Sequence, residues 1–301
     1  MDETREIYMA YFRAWRDCSN TAMQNVASLE EIPAFIDLVG ILANDDVEAT
    51  FWQGLSRQIE VLHGKGIKVA RTIFLPALYE DGHYDKELRS PLSSFSNDQK
   101  GYTSRAREIE EKYLKGFGYD GLIVDVDRNV EGVDLEKAAG VFRALSSHWG
   151  PASLSGRLLI FDHDILVEHP TLLPKVADLI SYLFVDTYGM SMKHVESIWD
   201  DVQSLVPAHK FVPGFSFYEE NGERWGDVSR PLEKSKAFAL AQWQPSAGQA
   251  GKKGGVFAYA IDRDGAEEGD NKLKPTVFAV SQEIKKTLSE IEEDSHNETH
   301  R

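Results

Sequence analysis

Short apolar or alternating runs recur along the chain with amphipathic or polar stretches between them. Eight of these runs read as strands, over residues 7–15, 35–42, 68–75, 121–127, 157–162, 180–188, 211–218 and 256–261. The 3.6-residue period predicts helices over 47–62, 103–117, 135–148, 193–206, 232–243 and 275–291. Strand and helix in repeated alternation mean parallel strands joined by crossover helices. Eight such units fit a single (β/α)8 TIM barrel of the α/β class over residues 1–292, with 293–301 as a disordered tail. A doubly wound nucleotide-binding sheet is disfavoured, because no GxGxxG follows the first strand and no GxxxxGK[ST] occurs. The longest irregular connection, 76–102, follows a strand; in a barrel it overhangs the active face and is a candidate substrate loop.

Composition narrows the classes further. The 301 residues are 42% hydrophobic and 27% charged, as in an ordinary globular protein with a sizeable core. With 33 basic and 49 acidic side chains the net charge is −16, which repels phosphate backbones and anionic lipid, so neither nucleic acid nor membrane is expected as a partner. No apolar run approaches a membrane span. Cys18 is the single cysteine, which excludes an intrachain disulfide and a cysteine-based zinc cluster; it is expected to be packed. The acidic start has no signal-peptide pattern, which implies a secreted protein if a leader has been removed and a cytoplasmic one otherwise.

The residues at the predicted strand ends carry the chemistry. Strand four ends in Asp125-Val126-Asp127, strand five in Asp162-His163-Asp164, strand six in Asp186-Thr187-Tyr188 and strand eight in Asp262-Arg263-Asp264. Alternation puts Ile123, Asp125 and Asp127 on one face, pointing into the barrel mouth, and the aliphatic Leu122, Val124 and Val126 on the other, against the helices. Two close carboxylates do not both ionise cheaply, so one member of the Asp125/Asp127 pair is expected to keep its proton near neutral pH and to serve as a donor. The plainer role for any one of these carboxylates is to cap a helix or to pair with Arg128 or Arg263. A hard metal ion held by several Asp oxygens is a further alternative, though the chain has no HExxH and no His pair at metal spacing. Trp225, Trp243, Tyr188, Phe217, Tyr218 and Tyr259 cluster in or near the last three strands, and such rings pack on the flat faces of sugars.

On these residues the chain resembles glycoside hydrolase family 18, and more closely its endo-β-N-acetylglucosaminidases, the immunoglobulin-deglycosylating branch above all. The segment from Tyr119 to Asp127 follows the family pattern D-G-x-D-x-D-x-E in spacing. Further matches are Tyr11-Phe12-Arg13-Ala14-Trp15-Arg16-Asp17, Gly214-Phe215-Ser216-Phe217-Tyr218-Glu219-Glu220-Asn221, Ala241-Gln242-Trp243-Gln244-Pro245 and the run from Gly254 to Gly265, so the resemblance spans the barrel. It implies hydrolysis between the two N-acetylglucosamines of an N-glycan core, on a glycoprotein or free glycan, with no cofactor or metal. In this family a Glu protonates the leaving oxygen while the substrate's own acetamido oxygen attacks the anomeric carbon. The resemblance places Asp127 at the acid position, Asp125 at the position that orients the acetamido group, and Tyr188 with Asp186 on the sixth strand beside it. Trp243, Tyr259, Phe217, Tyr218, Glu219 and Asp162 are the expected sugar-binding residues. Three departures fall at the chemistry: Asp127 replaces the acid Glu, Ile123 the inner Asp, and Asp186 a Gln. They leave two readings, an endoglycosidase with reduced activity or a catalytically inactive, lectin-like glycan-binding barrel.

Overall fold

Alternation along each strand divides the apolar residues into two sets, and the computed structural model, which describes residues 5–21, 24–85, 90–164, 167–222, 225–246 and 251–298, shows what each set packs against. The strands β1 (Ile7–Arg13), β2 (Leu38–Leu42), β3 (Lys68–Phe74), β4 (Gly121–Val126), β5 (Leu158–His163), β6 (Tyr182–Asp186), β7 (Phe211–Ser216) and β8 (Gly255–Tyr259) close into a barrel in chain order. All neighbours are parallel, and β1 pairs with β8. Met9, Ile123, Ile160, Phe184, Val212 and Phe257 fill the barrel, while Leu122, Val124 and Val126 belong to the outer layer under the helices. The ring of Phe257 lies across Gly214, where a Cβ would come within 2.1 Å of its Cζ, so β7 needs a glycine at that point.

The helices are α1 (Ala49–Gly64), α2 (Pro76–Tyr79), α3 (Gln99–Ile109, continued by a π-helical turn Glu110–Leu114), α4 (Gly132–Leu145), α5 (Leu173–Val176), α6 (Met192–Val202), α7 (Lys236–Gln242) and α8 (Ala279–Glu298). Helix α8 thus runs into the stretch expected to be a tail. Helix α3 begins earlier than its apolar period, because the Asp98 side chain accepts from the Gly101 amide at 2.8 Å and caps it. The irregular connection after β3 is correspondingly shorter and is tied down by the buried Arg105, which donates to the carbonyls of Ala77 (2.8 Å) and Glu80 (3.1 Å). Among the described residues no α-helix joins β1 to β2. Side chains satisfy the backbone there instead: Asp17 accepts from the amides of Ser19 and Leu29 (both 2.9 Å), and Asn20 and Asn25 donate to the carbonyls of Ala14 (2.7 Å) and Trp15 (2.8 Å). With Asp17 turned inward, Cys18 points out and is exposed, contrary to the packed position expected of it.

The amino-terminal end of the barrel is closed by a buried ion pair. Lys253, just before β8, meets Glu6, just before β1, at 2.5 Å with side chains 0% and 1% exposed. Lys253 also donates to the carbonyls of Ala241 (2.9 Å) and Trp243 (2.8 Å). Removing one member strands the other charge in the interior, which typically costs about 3–5 kcal/mol, whereas removing both is far milder. Lys253→Met is therefore expected to lower the urea midpoint strongly, and Glu6→Gln in that background to recover most of the loss.

Candidate active site

Inward positions at the carboxyl ends of the strands come together at the mouth. Tyr11 and Arg13 arrive on β1, Asp125 on β4, Asp162 on β5, Asp186 and the following Tyr188 from β6, and Tyr259 on β8. Phe184 and Phe257, stacked at 5.3 Å, make the floor, and Phe257 meets Tyr11 edge-on at 5.6 Å. The Tyr188 ring lies 5.8 Å from Tyr259 and 6.2 Å from Trp225, which reaches in from the connection after β7.

Asp125 and Asp162 are register partners on adjacent strands. Asp162 is 5% exposed; the Tyr11 hydroxyl donates to its Oδ2, while its Oδ1 has no hydrogen-bond partner. Burial pushes Asp162 up to about 7, against the Tyr11 hydrogen bond, with the charge of Asp164 adding to the rise. Burial also raises Asp125 well above the carboxylate range, helped by the charges of Asp162, Asp164 and Asp127. Asp186 is raised for the same reasons, by burial and then by Asp162, Asp125 and Asp164, although Tyr188 hydrogen-bonds to it. Three neighbouring carboxyl groups are thus held towards their protonated forms. The phenols of Tyr11 and Tyr188 are raised too, by burial and then by the charges of Asp162 and Asp186 respectively, so both remain donors.

The buried guanidinium of Arg13 is already committed. Arg13 donates to both oxygens of Asp262 (3.0 and 2.6 Å), to Glu219 (2.8 Å) and to Glu220 (3.0 Å), joining β1 to the segments after β7 and β8. Glu219 in turn hydrogen-bonds Tyr259 and so stands at the edge of the aromatic group. Among the described residues no three His, Cys, Asp or Glu side chains are arranged to hold a metal ion.

The expected site residues therefore separate. Asp125, Asp162, Asp186, Tyr188 and Tyr259 meet, with Glu219 at the rim. Asp127 lies beyond the strand end with both oxygens engaged by Arg128 (3.0 and 2.6 Å). Asp264 accepts from the amides of Val280 (3.1 Å) and Ser281 (2.8 Å) at the start of α8, the plainer role foreseen for a strand-end carboxylate. Three residues expected to bind sugar stand apart from this group. Phe217 packs in the outer layer, T-shaped on Phe215 at 5.6 Å, because Ser216 takes the inward position. Tyr218 leaves the strand and borders a separate cavity of about 390 Å³ with Val228 and Arg230. Trp243 ends α7 and so sits at the opposite, amino-terminal end, against Phe211 (5.9 Å) and hydrogen-bonded to Glu196 (2.8 Å). Tyr11 joins the group from outside the expected site residues, and its alternation with Ile7 and Met9 on β1 marks it as inward.

A carboxyl group whose proton is held more tightly in the folded than in the unfolded state favours folding at low pH, and this stability is lost as pH rises through the folded value. For Asp162 the loss falls between about pH 4 and about pH 7. Asp162→Asn is therefore expected to raise the Tm by several degrees at pH 8, with the gain shrinking towards pH 4; equal Tm values at pH 8 would contradict this.

The sequence and fold were compared with known proteins. The family model for the TIM-barrel domain of the endo-β-N-acetylglucosaminidase EndoS matches residues 10–258. Endo-β-N-acetylglucosaminidase F2 of Elizabethkingia meningoseptica is 31% identical over 293 residues, covering 94% of this chain and 82% of the relative. EndoS of Streptococcus pyogenes serotype M1 is 28% identical; the match covers 95% of this chain but 32% of that longer protein. The crystal structure of an endo-β-N-acetylglucosaminidase from Cordyceps militaris superposes with a TM-score of 0.84 at 34% identity, covering 94% of this chain and 91% of that one. A domain-wide model match, a relative above 30% identity across most of its length and a shared barrel lead to one assignment: the chain belongs to the endo-β-N-acetylglucosaminidases of the EndoS TIM-barrel family.

Proposed function

We propose that the protein hydrolyses the bond between the two N-acetylglucosamines of an N-glycan core, releasing the glycan and leaving one sugar on its carrier. The observation that carries this reading is the convergence of Asp125, Asp162, Asp186 and Tyr188 over an aromatic floor. Supporting it, the Cordyceps relative, in a doubly substituted form, has been solved in complex with fucosyl-N-acetylglucosamine-Asn. In the proposed reaction Asp125 accepts the acetamido N–H and Tyr188 holds the acetamido oxygen while that oxygen attacks the anomeric carbon. The bond to the leaving oxygen breaks as Asp127 protonates it, and water then opens the cyclic intermediate and returns a proton to Asp127. Asp127 is one methylene shorter than the family's Glu, which withdraws the acid by about 1.5 Å, and a misplacement of about 1 Å can cost a hundredfold.

The ion pair between Asp127 and Arg128 favours a second reading, a barrel that binds glycan without cleaving it. Mass spectrometry of a glycoprotein after long incubation at high enzyme concentration separates the two. Release of the glycan, lost in Asp127→Asn and increased about tenfold to a hundredfold in Asp127→Glu, is the outcome expected from hydrolysis. Saturable glycan binding with no release by the unmodified chain or by Asp127→Glu would establish the second reading.

A further inference from the structure

A second cavity, of about 370 Å³, opens at the carboxyl ends of β2 and β3, on the side of the mouth away from β6. Residues 43–46, Asp85 and, from β3, Arg71, Thr72 and Phe74 line it. Phe74 is partly exposed and is the register partner of Asp125, so it faces inward one strand spacing, about 4.8 Å, from that residue. Thr72 lies two residues deeper on the same face; it is 1% exposed and its hydroxyl has no hydrogen-bond partner. A buried hydroxyl seldom stays unsatisfied, because nothing then offsets its loss of water, and a ligand in the cavity supplies the missing partner. Asp85 accepts from the Tyr113 hydroxyl and meets His83 at 3.3 Å. Burial opposes its ionisation, but the hydrogen bonds from His83 and Tyr113 and the charges of His83 and Arg71 prevail and hold it below the usual carboxylate range. Asp45 and Asp46 stand exposed at the rim. Against these three carboxylates the lining has one guanidinium, that of Arg71, which is covered by the rings of Trp52 (5.1 Å) and Tyr113 (5.9 Å) and donates to the Ile41 carbonyl at 3.1 Å.

We propose that this cavity selects an uncharged hexose on one arm of the glycan, with Thr72 and Asp85 bonding its hydroxyls and Phe74 covering its C–H face. A hexose offers several O–H donors, which carboxylates accept, and its hydroxyls also accept, so the Thr72 O–H is satisfied in either sense. The flat apolar side of the ring packs on an aromatic face. A volume near the lower end of the range for small-ligand sites fits one sugar ring and not a branch. The three carboxylates of the lining, on a chain of net charge −16, repel a sugar that carries a carboxylate or phosphate. Among the described residues these carboxylates are not arranged to hold a metal ion, which leaves hydroxyl groups as their ligand.

This inference rests on the proposed glycosidase reading, and the test separates the two. The probes are a released N-glycan with mannose-only arms, which ends in one N-acetylglucosamine and so lacks the bond to be cut, and N,N′-diacetylchitobiose, which lacks the arms. Calorimetry gives the affinity of each, and turnover of a glycoprotein is followed in parallel. Thr72→Val removes the hydroxyl and keeps the shape. It is expected to weaken the released glycan about tenfold, to leave chitobiose unchanged and to raise KM with little change in kcat. The same change is expected to raise the Tm by about 2 °C, because the unliganded fold no longer buries an unsatisfied hydroxyl. Asp85→Asn keeps an acceptor for Tyr113 and is expected to weaken the released glycan by a similar factor; it decides the matter should Thr72→Val disturb β3. Methyl α-mannopyranoside is expected to compete with the glycan at least tenfold better than methyl glucuronopyranoside, and equal competition overturns the assignment to an uncharged sugar. Variants that bind the glycan as tightly as the unmodified chain, or lose chitobiose to the same degree, overturn the pocket and leave the glycosidase reading standing. An unmodified chain that binds neither probe and releases no glycan overturns both.

Discussion

Closing eight parallel strands into a barrel turns every second side chain inward and fixes neighbouring strands about 4.8 Å apart. At the carboxyl end this constraint gathers Asp125, Asp162 and Asp186 from consecutive strands, and none of them can retreat without breaking the ladder. Pairing with a cation is one way to hold such charges, but the buried Arg13 is consumed by Asp262, Glu219 and Glu220. The remaining way is to keep protons. Ionising several unpaired carboxyl groups in the interior costs several kcal/mol each, whereas holding one proton about three pH units beyond its normal range costs about 4 kcal/mol, so partial protonation wins. The same crowding that burdens the fold therefore stores a proton where a substrate amide would bind.

The opposite end of the barrel solves a similar problem differently. There Lys253 and Glu6 are paired one to one, with the lysine also donating to two carbonyls, so burial of charge is compensated by geometry rather than by a proton. One end is satisfied and inert; the other is left with the unpartnered oxygens Asp162 Oδ1 and Asp186 Oδ1. Unmet hydrogen-bonding capacity at the end where strands point their carboxyl termini is what a polar ligand can use.

Much of this was legible in the sequence, and the failures have distinct physical causes. The two faces of β4 followed from alternation alone, which is why Asp125 and the aliphatic Leu122, Val124 and Val126 fell where expected. Strand parity also decides Phe217, which lies one residue past the inward Ser216 and so faces the helices; proximity to the motif was a weaker guide than parity. Trp243 was misplaced for a topological reason: a residue ending a helix in a β/α unit lies at the amino-terminal face, however close in sequence it is to site residues. The connection from β1 to β2 could not be read from periodicity, because Asp17, Asn20 and Asn25 replace a helix with side-chain hydrogen bonds that have no period. The destination of Asp127 was likewise invisible, since its pairing with Arg128 depends on where the chain turns after β4.

The three departures from the family motif are not equivalent. An acid at 186 in place of an amide matters less than its formal charge implies, because a buried protonated carboxyl presents an O–H donor where the amide presents N–H. Isoleucine at 123 removes a carboxyl from β4, yet β5 supplies one at the register partner of Asp125, so the buried layer keeps a neighbour able to share a proton. The first change keeps hydrogen-bond capacity on β6, and the second is matched by a carboxyl on β5. Asp127 conserves neither length nor freedom: it is a methylene short, and both of its oxygens are held by Arg128. Position 127 is therefore the departure that changes where an acid can reach, while the buried cluster keeps its carboxyl groups.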